Sequence, residues 1–181
     1  RTLRAASHHC YLLESAEENQ KWGRYSFLGY SPAMELTCQN NVLKIRTGEE
    51  DELAAEENRA VSHPGETIRE ILAAYKSPKL PDMPPFTGGL VGYFSYDYIH
   101  YAEPTLDFSK LKNDDFCDVD LMLFDRVIVF DHYRQKLILI AGVRTDSLEK
   151  SYRQAEESLN EIVSLLQSGA KAVFRPLKLK E

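Results

Sequence analysis

The chain has 181 residues, with 22 Lys+Arg against 28 Asp+Glu and a formal net charge of −6. Its 43% hydrophobic and 28% charged content is that of an ordinary globular protein and excludes disordered and fibrous classes. The length allows one large domain or two small ones, with enough core to fold without disulfides, and the acidic balance argues against nonspecific nucleic-acid binding, which needs basic surface to displace counterions.

No window approaches the ~18 consecutive apolar residues of a membrane span, so no membrane partner is expected. Residues 1–6 do not resemble a signal peptide, because no apolar stretch follows them. Three cysteines, Cys10, Cys38 and Cys117, lie far apart with no C-x-x-C spacing. That pattern predicts reduced thiols and a cytoplasmic protein. The chain opens on Arg1 rather than Met and closes in a basic, aperiodic tail over residues 174–181. The expectation is a piece of a longer protein.

Taken in chain order, residues 9–13 predict a short apolar strand and residues 25–29 a second, across a polar turn at 17–21. Residues 34–38 and 42–46 alternate around Asn40-Asn41. Asparagine tolerates positive φ, so this predicts a hairpin. Residues 48–58 are acidic and aperiodic and predict a mobile solvated loop. Ile68, Ile71 and Leu72 recur at 3–4 spacing and predict a helix over 64–75. Four prolines in 77–85 forbid helix and central strand there. Residues 89–96 read as a strand rich in Gly and aromatics. The gap 103–119 reads as a surface loop or a short helix. Two β-branched runs, 126–130 and 136–143, flank Asp131-His132-Tyr133-Arg134 and predict a second hairpin. Residues 147–168 carry apolar side chains at helical spacing, with Asp146 or Ser147 as N-cap and Gly169 at C′. Strands, helix, strands, helix, joined by hairpins, predict an α+β fold with mainly antiparallel sheets.

The chemistry is sparse. The sequence has no G-x-S-x-G, no H-E-x-x-H and no G-x-x-x-x-G-K-[ST]. Gly88-Gly89-Leu90-Val91-Gly92 fails the dinucleotide fingerprint, because position 87 is Thr. Its glycines read as places where neighbouring backbone comes close. His8, His9 and Cys10 are adjacent on a strand and point to opposite faces, so they cannot share one ion. Asp114, Asp115, Asp118 and Asp120 lack the Gly and distal Glu of a calcium loop and read as solvated acids. Tyr93, Phe94, Tyr96, Tyr98 and Tyr101 sit among acids and read as core and interface packing rather than a base-stacking platform.

Two strand ends remain: Leu12-Leu13-Glu14-Ser15 and Gly23-Arg24-Tyr25-Ser26-Phe27-Leu28-Gly29. A carboxylate and two hydroxyls lie at or just past them, with an Arg between. A carboxylate neutralises an ammonium, and hydroxyls with backbone N–H groups hold a carboxylate, so the set suits a zwitterionic ligand. The same residue types are also ordinary strand-end surface groups.

These segments carry a family likeness. Cys10-Tyr-Leu-Leu-Glu-Ser-Ala16 and Lys21-Trp-Gly-Arg-Tyr-Ser-Phe-Leu-Gly29 resemble the N-terminal region of anthranilate synthase component I, of the chorismate-utilising enzymes. So do Pro85-Phe-Thr-Gly-Gly-Leu-Val-Gly-Tyr-Phe-Ser-Tyr-Asp97 and Asp118-Val-Asp-Leu-Met-Leu-Phe-Asp125, running into Val127-Ile-Val-Phe-Asp-His132. The related component I of aminodeoxychorismate synthase shares the L-L-x-S and G-G-x-x-G-Y elements, but the Trp22-to-Phe27 stretch favours the anthranilate branch. A stand-alone ligand-binding module is the remaining alternative.

The resemblance implies an orthogonal sandwich of antiparallel sheets with flanking helices. It implies a parent enzyme that converts chorismate and glutamine-derived ammonia to anthranilate and pyruvate, with Mg²⁺ and a glutamine amidotransferase component II. The catalytic and Mg²⁺ residues would lie in a C-terminal chorismate-binding domain beyond residue 181. No catalytic residue, metal or cofactor is therefore assigned to this chain, and residues 1–181 alone are expected to be inactive. The region would hold the L-tryptophan feedback site. Leu13, Glu14 and Ser15 would line it, with Arg24, Tyr25 and Ser26 on the following segment. Glu14 or nearby carbonyls would meet the ammonium, Ser15 or Ser26 would hydrogen-bond the ligand, and Leu13 and Tyr25 would pack on the indole. An exposed face on the aromatic strand 91–98 would receive the C-terminal domain.

Overall fold

A computed structural model describes residues 2–14, 23–48, 55–103, 105 and 116–169. In chain order the elements are α1 (Thr2–Ala6), β1 (Cys10–Leu13), β2 (Tyr25–Tyr30), β3 (Met34–Gln39), β4 (Val42–Thr47), β5 (Ala55–Ala60) and α2 (Pro64–Ala74). There follow β6 (Gly89–Phe94), a 3-10 helix (Tyr96–Tyr101), β7 (Val119–Phe124), β8 (Arg126–Asp131), β9 (Lys136–Ala141) and α3 (Leu148–Ser168). The chain divides into two compact units, one of residues 1–31 with 126–181 and one of residues 32–125. Each has its own antiparallel sheet, as the α+β expectation requires.

The first unit carries a four-stranded sheet in the order β1-β2-β8-β9. Cys10 pairs with Tyr30, Leu28 with Ile128 and Ile128 with Leu139. Directly opposed residues share a face, so these side chains form one apolar surface. Leu3 of α1 and Ile162 of α3 close over it, and Ile162 is completely buried. α3 ends where expected, at Gly169 with φ 65°, the left-handed conformation that suits glycine.

The second unit carries a five-stranded sheet in the order β5-β4-β3-β7-β6. Leu36, Cys38, Leu43 and Val119 are completely buried, and Ile68 packs with them. The predicted β3–β4 hairpin turns on Asn40 (φ 51°) and Asn41 (φ 63°). The glycine expectation also holds. A Cβ on Gly92 (φ 156°) would collide with the Asp120 carbonyl oxygen and lie 2.8 Å from Leu121 Cα, so β6 can lie against β7 only with glycine there.

Four elements fall outside the expected set: α1, β5, β7 and the 3-10 helix Tyr96–Tyr101, which corrects the strand expected to run on to 96 or 98, since β6 ends at Phe94. The acidic loop expected over 48–58 is corrected over 55–58. Ala55–Ala60 is an edge strand in register with β4, while residues 49–54 lie outside the described residues. β5 is exposed along its whole length, so it has no buried face to announce it in the sequence. Its backbone pairs while its charges bond sideways, Lys44–Glu56 at 3.0 Å and Arg59–Glu57 at 2.6 Å. β7 lies inside the sheet between β3 and β6. β6 is the other edge strand, with Phe94 50% exposed, and Tyr96 just beyond it is 91% exposed.

Candidate functional site: the strand ends of β1 and β2

β1 and β2 run antiparallel with Leu13 opposite Phe27. β2 continues against β8 with Tyr25 opposite Asp131 and Ser26 opposite Phe130. Alternation along β2 puts Tyr25 and Phe27 on one face and Ser26 on the other. Leu13 shares the Tyr25 and Phe27 face. The Tyr25 and Phe27 ring centroids are 6.0 Å apart, and Leu13 is 47% exposed. Leu13 and Tyr25 therefore present one apolar surface at the end of the sheet. Glu14 follows the last residue of β1 and is exposed. Ser15 lies outside the described residues.

Arg24 and Ser26 have definite partners, Asp131 at the end of β8 and His132 in the turn that follows it. Arg24 Nε donates to Asp131 Oδ1 at 3.1 Å and Oδ2 at 3.2 Å, and Nη2 donates to Oδ2 at 2.7 Å. The guanidinium carbon lies 4.8 Å from the Tyr25 ring centroid and 5.6 Å from that of Tyr133, so the cation sits against two aromatic rings. Nη1 makes no hydrogen bond among the described residues.

Asp131 is 1% exposed. Its Oδ1 also accepts from the backbone N–H groups of Tyr133 (3.1 Å) and Arg134 (3.0 Å), as an aspartate does when it folds the turn that follows it. Hydrogen bonds from Arg24, then from those N–H groups, hold its carboxyl at about 2 against an ordinary 3.8. The same bond pushes the Arg24 guanidinium up.

Ser26 is buried, and its Oγ lies 2.7 Å from His132 Nε2. His132 N–H donates to the Arg24 carbonyl at 2.8 Å, and its ring meets Phe130 edge-on at 4.8 Å. The turn after β8 thus grips both polar residues contributed by the start of β2. Asp131, His132 and Tyr133 were legible only as a hairpin turn. The available signal was an unpaired arginine ahead of a strand and a lone aspartate in a turn 107 residues later.

Among the described residues, no three His, Cys, Asp or Glu side chains form a group able to hold a metal ion. What the arrangement offers is recognition. An apolar wall of Leu13, Tyr25 and Phe27 stands beside a braced arginine with one uncommitted nitrogen, and the exposed Glu14 follows Leu13 in the chain. Such a set suits an aromatic or apolar body carrying an ammonium and a carboxylate.

A family model described as chorismate binding enzyme matches residues 8–179. Anthranilate synthase component 1 of Acetivibrio thermocellus is 33% identical over 158 residues, covering 84% of this chain and 30% of that protein. The Acinetobacter calcoaceticus protein of the same name is 34% identical over 162 residues, 86% of this chain and 31% of its own length. The chloroplastic anthranilate synthase alpha subunit 1 of Arabidopsis thaliana is 36% identical over 168 residues, 86% of this chain and 28% of its own. The chain therefore spans about 30% of the length of these curated relatives. The crystal structure of anthranilate synthase component I from Streptococcus pneumoniae TIGR4 matches with a TM-score of 0.61 at 24% identity, over 88% of this chain and 32% of that one, a likeness of fold. With nearly its whole length matched by the family model, this chain belongs to the chorismate-binding enzymes.

Proposed function

We propose that this chain is the N-terminal regulatory region of an anthranilate synthase component I, and that its β1–β2 strand end binds L-tryptophan as a feedback inhibitor. The observation that carries the assignment is sustained identity, 33–36%, to anthranilate synthase chains over more than four-fifths of this sequence. The parent converts chorismate and ammonia to anthranilate and pyruvate in tryptophan biosynthesis, in the cytoplasm. Component II supplies the ammonia from glutamine. Chorismate and Mg²⁺ bind the C-terminal part of the parent, and the region described here is catalytically silent alone.

At the strand end, Leu13 and Tyr25 take the indole, Glu14 neutralises the ammonium, and the Ser15 hydroxyl bonds the ligand. Inhibition through this site requires that tryptophan and chorismate prefer different arrangements of the parent. The test is the parent polypeptide assayed with chorismate, ammonia and Mg²⁺. The expected product is anthranilate, with turnover suppressed by L-tryptophan and the inhibition constant raised tenfold or more by Ser15→Ala. A 4-amino product, or an inhibition constant indifferent to Ser15, overturns the reading.

A further inference from the structure

We infer that the turn after β8 is the positioning half of the candidate site: Asp131 fixes the pose of Arg24, and His132 fixes that of Ser26, so that binding of an aromatic α-amino acid at the β1–β2 strand end depends on two residues 105 or more positions away. The inference rests on the amino-acid reading of that strand end and adds to it residues that need not touch the ligand.

Three features carry it. Arg24 precedes β2, and the bond from His132 N–H to its carbonyl ties its backbone but does not place its side chain. Its pose comes from a two-nitrogen fork on a buried carboxylate and from the rings of Tyr25 and Tyr133. A guanidinium braced on two nitrogens keeps the third in a fixed direction, and a group ordered before the ligand arrives loses no rotamer freedom on binding. Second, the two oxygens of Asp131 divide their work. Oδ1 takes the turn's backbone N–H groups and one bond from Arg24 Nε, and Oδ2 takes the short bond from Arg24 Nη2. Holding the turn thus rests on Oδ1, while the pose of Arg24 Nη2 rests on Oδ2. Third, Ser26 is buried and its hydroxyl is bonded to an exposed imidazole. Because Ser26 lies on the face opposite Leu13 and Tyr25, this bond acts on the strand: it ties the start of β2 to the turn that carries Asp131.

The division between the two oxygens gives the test. Asp131→Asn can keep Oδ1 on the backbone N–H groups while it puts an amide donor against Arg24. His132→Phe keeps the edge-on ring beside Phe130 and removes the bond to Ser26, and His132→Gln restores a polar partner. L-tryptophan and D-tryptophan are titrated calorimetrically into the chain and each variant. Thermal unfolding and the Arg24 Nη2–H resonance are followed in parallel. We expect the wild-type Nη2–H to be downfield and slowly exchanging and to lose both properties in Asp131→Asn. L-tryptophan affinity is expected to fall tenfold or more in Asp131→Asn and several-fold in His132→Phe, with His132→Gln recovering most of the loss. The preference for L over D should narrow in the two deficient variants, which a loss of stability alone would not produce.

An Arg24 resonance indifferent to Asp131→Asn overturns the inference whatever the ligand does. Wild-type binding that persists within twofold in both deficient variants overturns the inference and leaves the site reading standing. A wild-type chain that takes up no L-tryptophan overturns the site reading, and the inference falls with it.

Discussion

Asn40 and Asn41 reverse the chain between β3 and β4 by backbone conformation, both at positive φ, with Gln39 paired to Val42 on either side. Between β8 and β9 the reversal takes four residues, from the Asp131–Lys136 pair, and a buried side chain organises it. The arms differ in the opposite sense. β3 and β4 both bury side chains completely, Leu36 and Leu43 among them, whereas the second hairpin does so on β8 alone, through Val127 and Val129, and Leu137 near the start of β9 is 55% exposed. One hairpin is held by its arms and turns on local chemistry. The other is held by one buried arm, β8, and by its turn, which reaches back across the sheet to Arg24 and Ser26. A turn with only local duties can be read from two residues. A turn with distant duties cannot.

The largest effect should come from the arms of the first hairpin. Leu43→Ala should lose about 2–5 kcal/mol by denaturant unfolding, the usual result of deleting a fully buried Leu side chain. Leu137→Ala, at an exposed position in the second, should change stability far less. Equal losses would break the contrast.

Asp131→Asn should give a smaller fall in melting temperature, and one that depends on pH. The folded carboxyl sits at about 2, below its ordinary 3.8, so its contribution is fully present above pH 3.8. It is lost as pH falls from there through about 2. Melting curves of wild type and variant should therefore converge on acidification across that window. A constant gap would mean that Asp131 does not act through its charge.

Smaller still is the turn of the first hairpin. Asn40→Ala should cost about 1 kcal/mol, because Ala at positive φ brings its Cβ against the carbonyl oxygen. Asn41→Gly should be neutral or slightly stabilising in the same unfolding assay. Last, Glu57→Gln on β5 should leave stability unchanged within error, since its ion pair with Arg59 is exposed and screened.

The same difference governs what could be read in advance. Both hairpins, α2, α3 and the strand ends show as periodicity, turn residues or caps in one stretch of sequence. β5 does not, because Ala55-Glu-Glu-Asn-Arg-Ala60 has no buried face and pairs through its backbone alone. β7 alternates inward Val119, Leu121 and Leu123 with outward Asp120 and Met122, yet it lies next to an irregular gap that masks its start. At the candidate site, Leu13, Glu14, Arg24, Tyr25 and Ser26 were nameable from chemistry and resemblance. That Arg24 and Ser26 bond the turn after β8 was not, because only the β2–β8 register brings residues 24–26 beside 130–132.

The central claim is that the β1–β2 strand end recognises the zwitterion and side chain of L-tryptophan. Its most direct test is a calorimetric titration of L-tryptophan into this chain, with D-tryptophan and chorismate as controls. Calorimetry avoids the emission of Trp22 and of the ligand itself. The account predicts saturable heat with the L-isomer, weaker heat with the D-isomer and none with chorismate. Equal heats from the two isomers, or none from L-tryptophan, would contradict it.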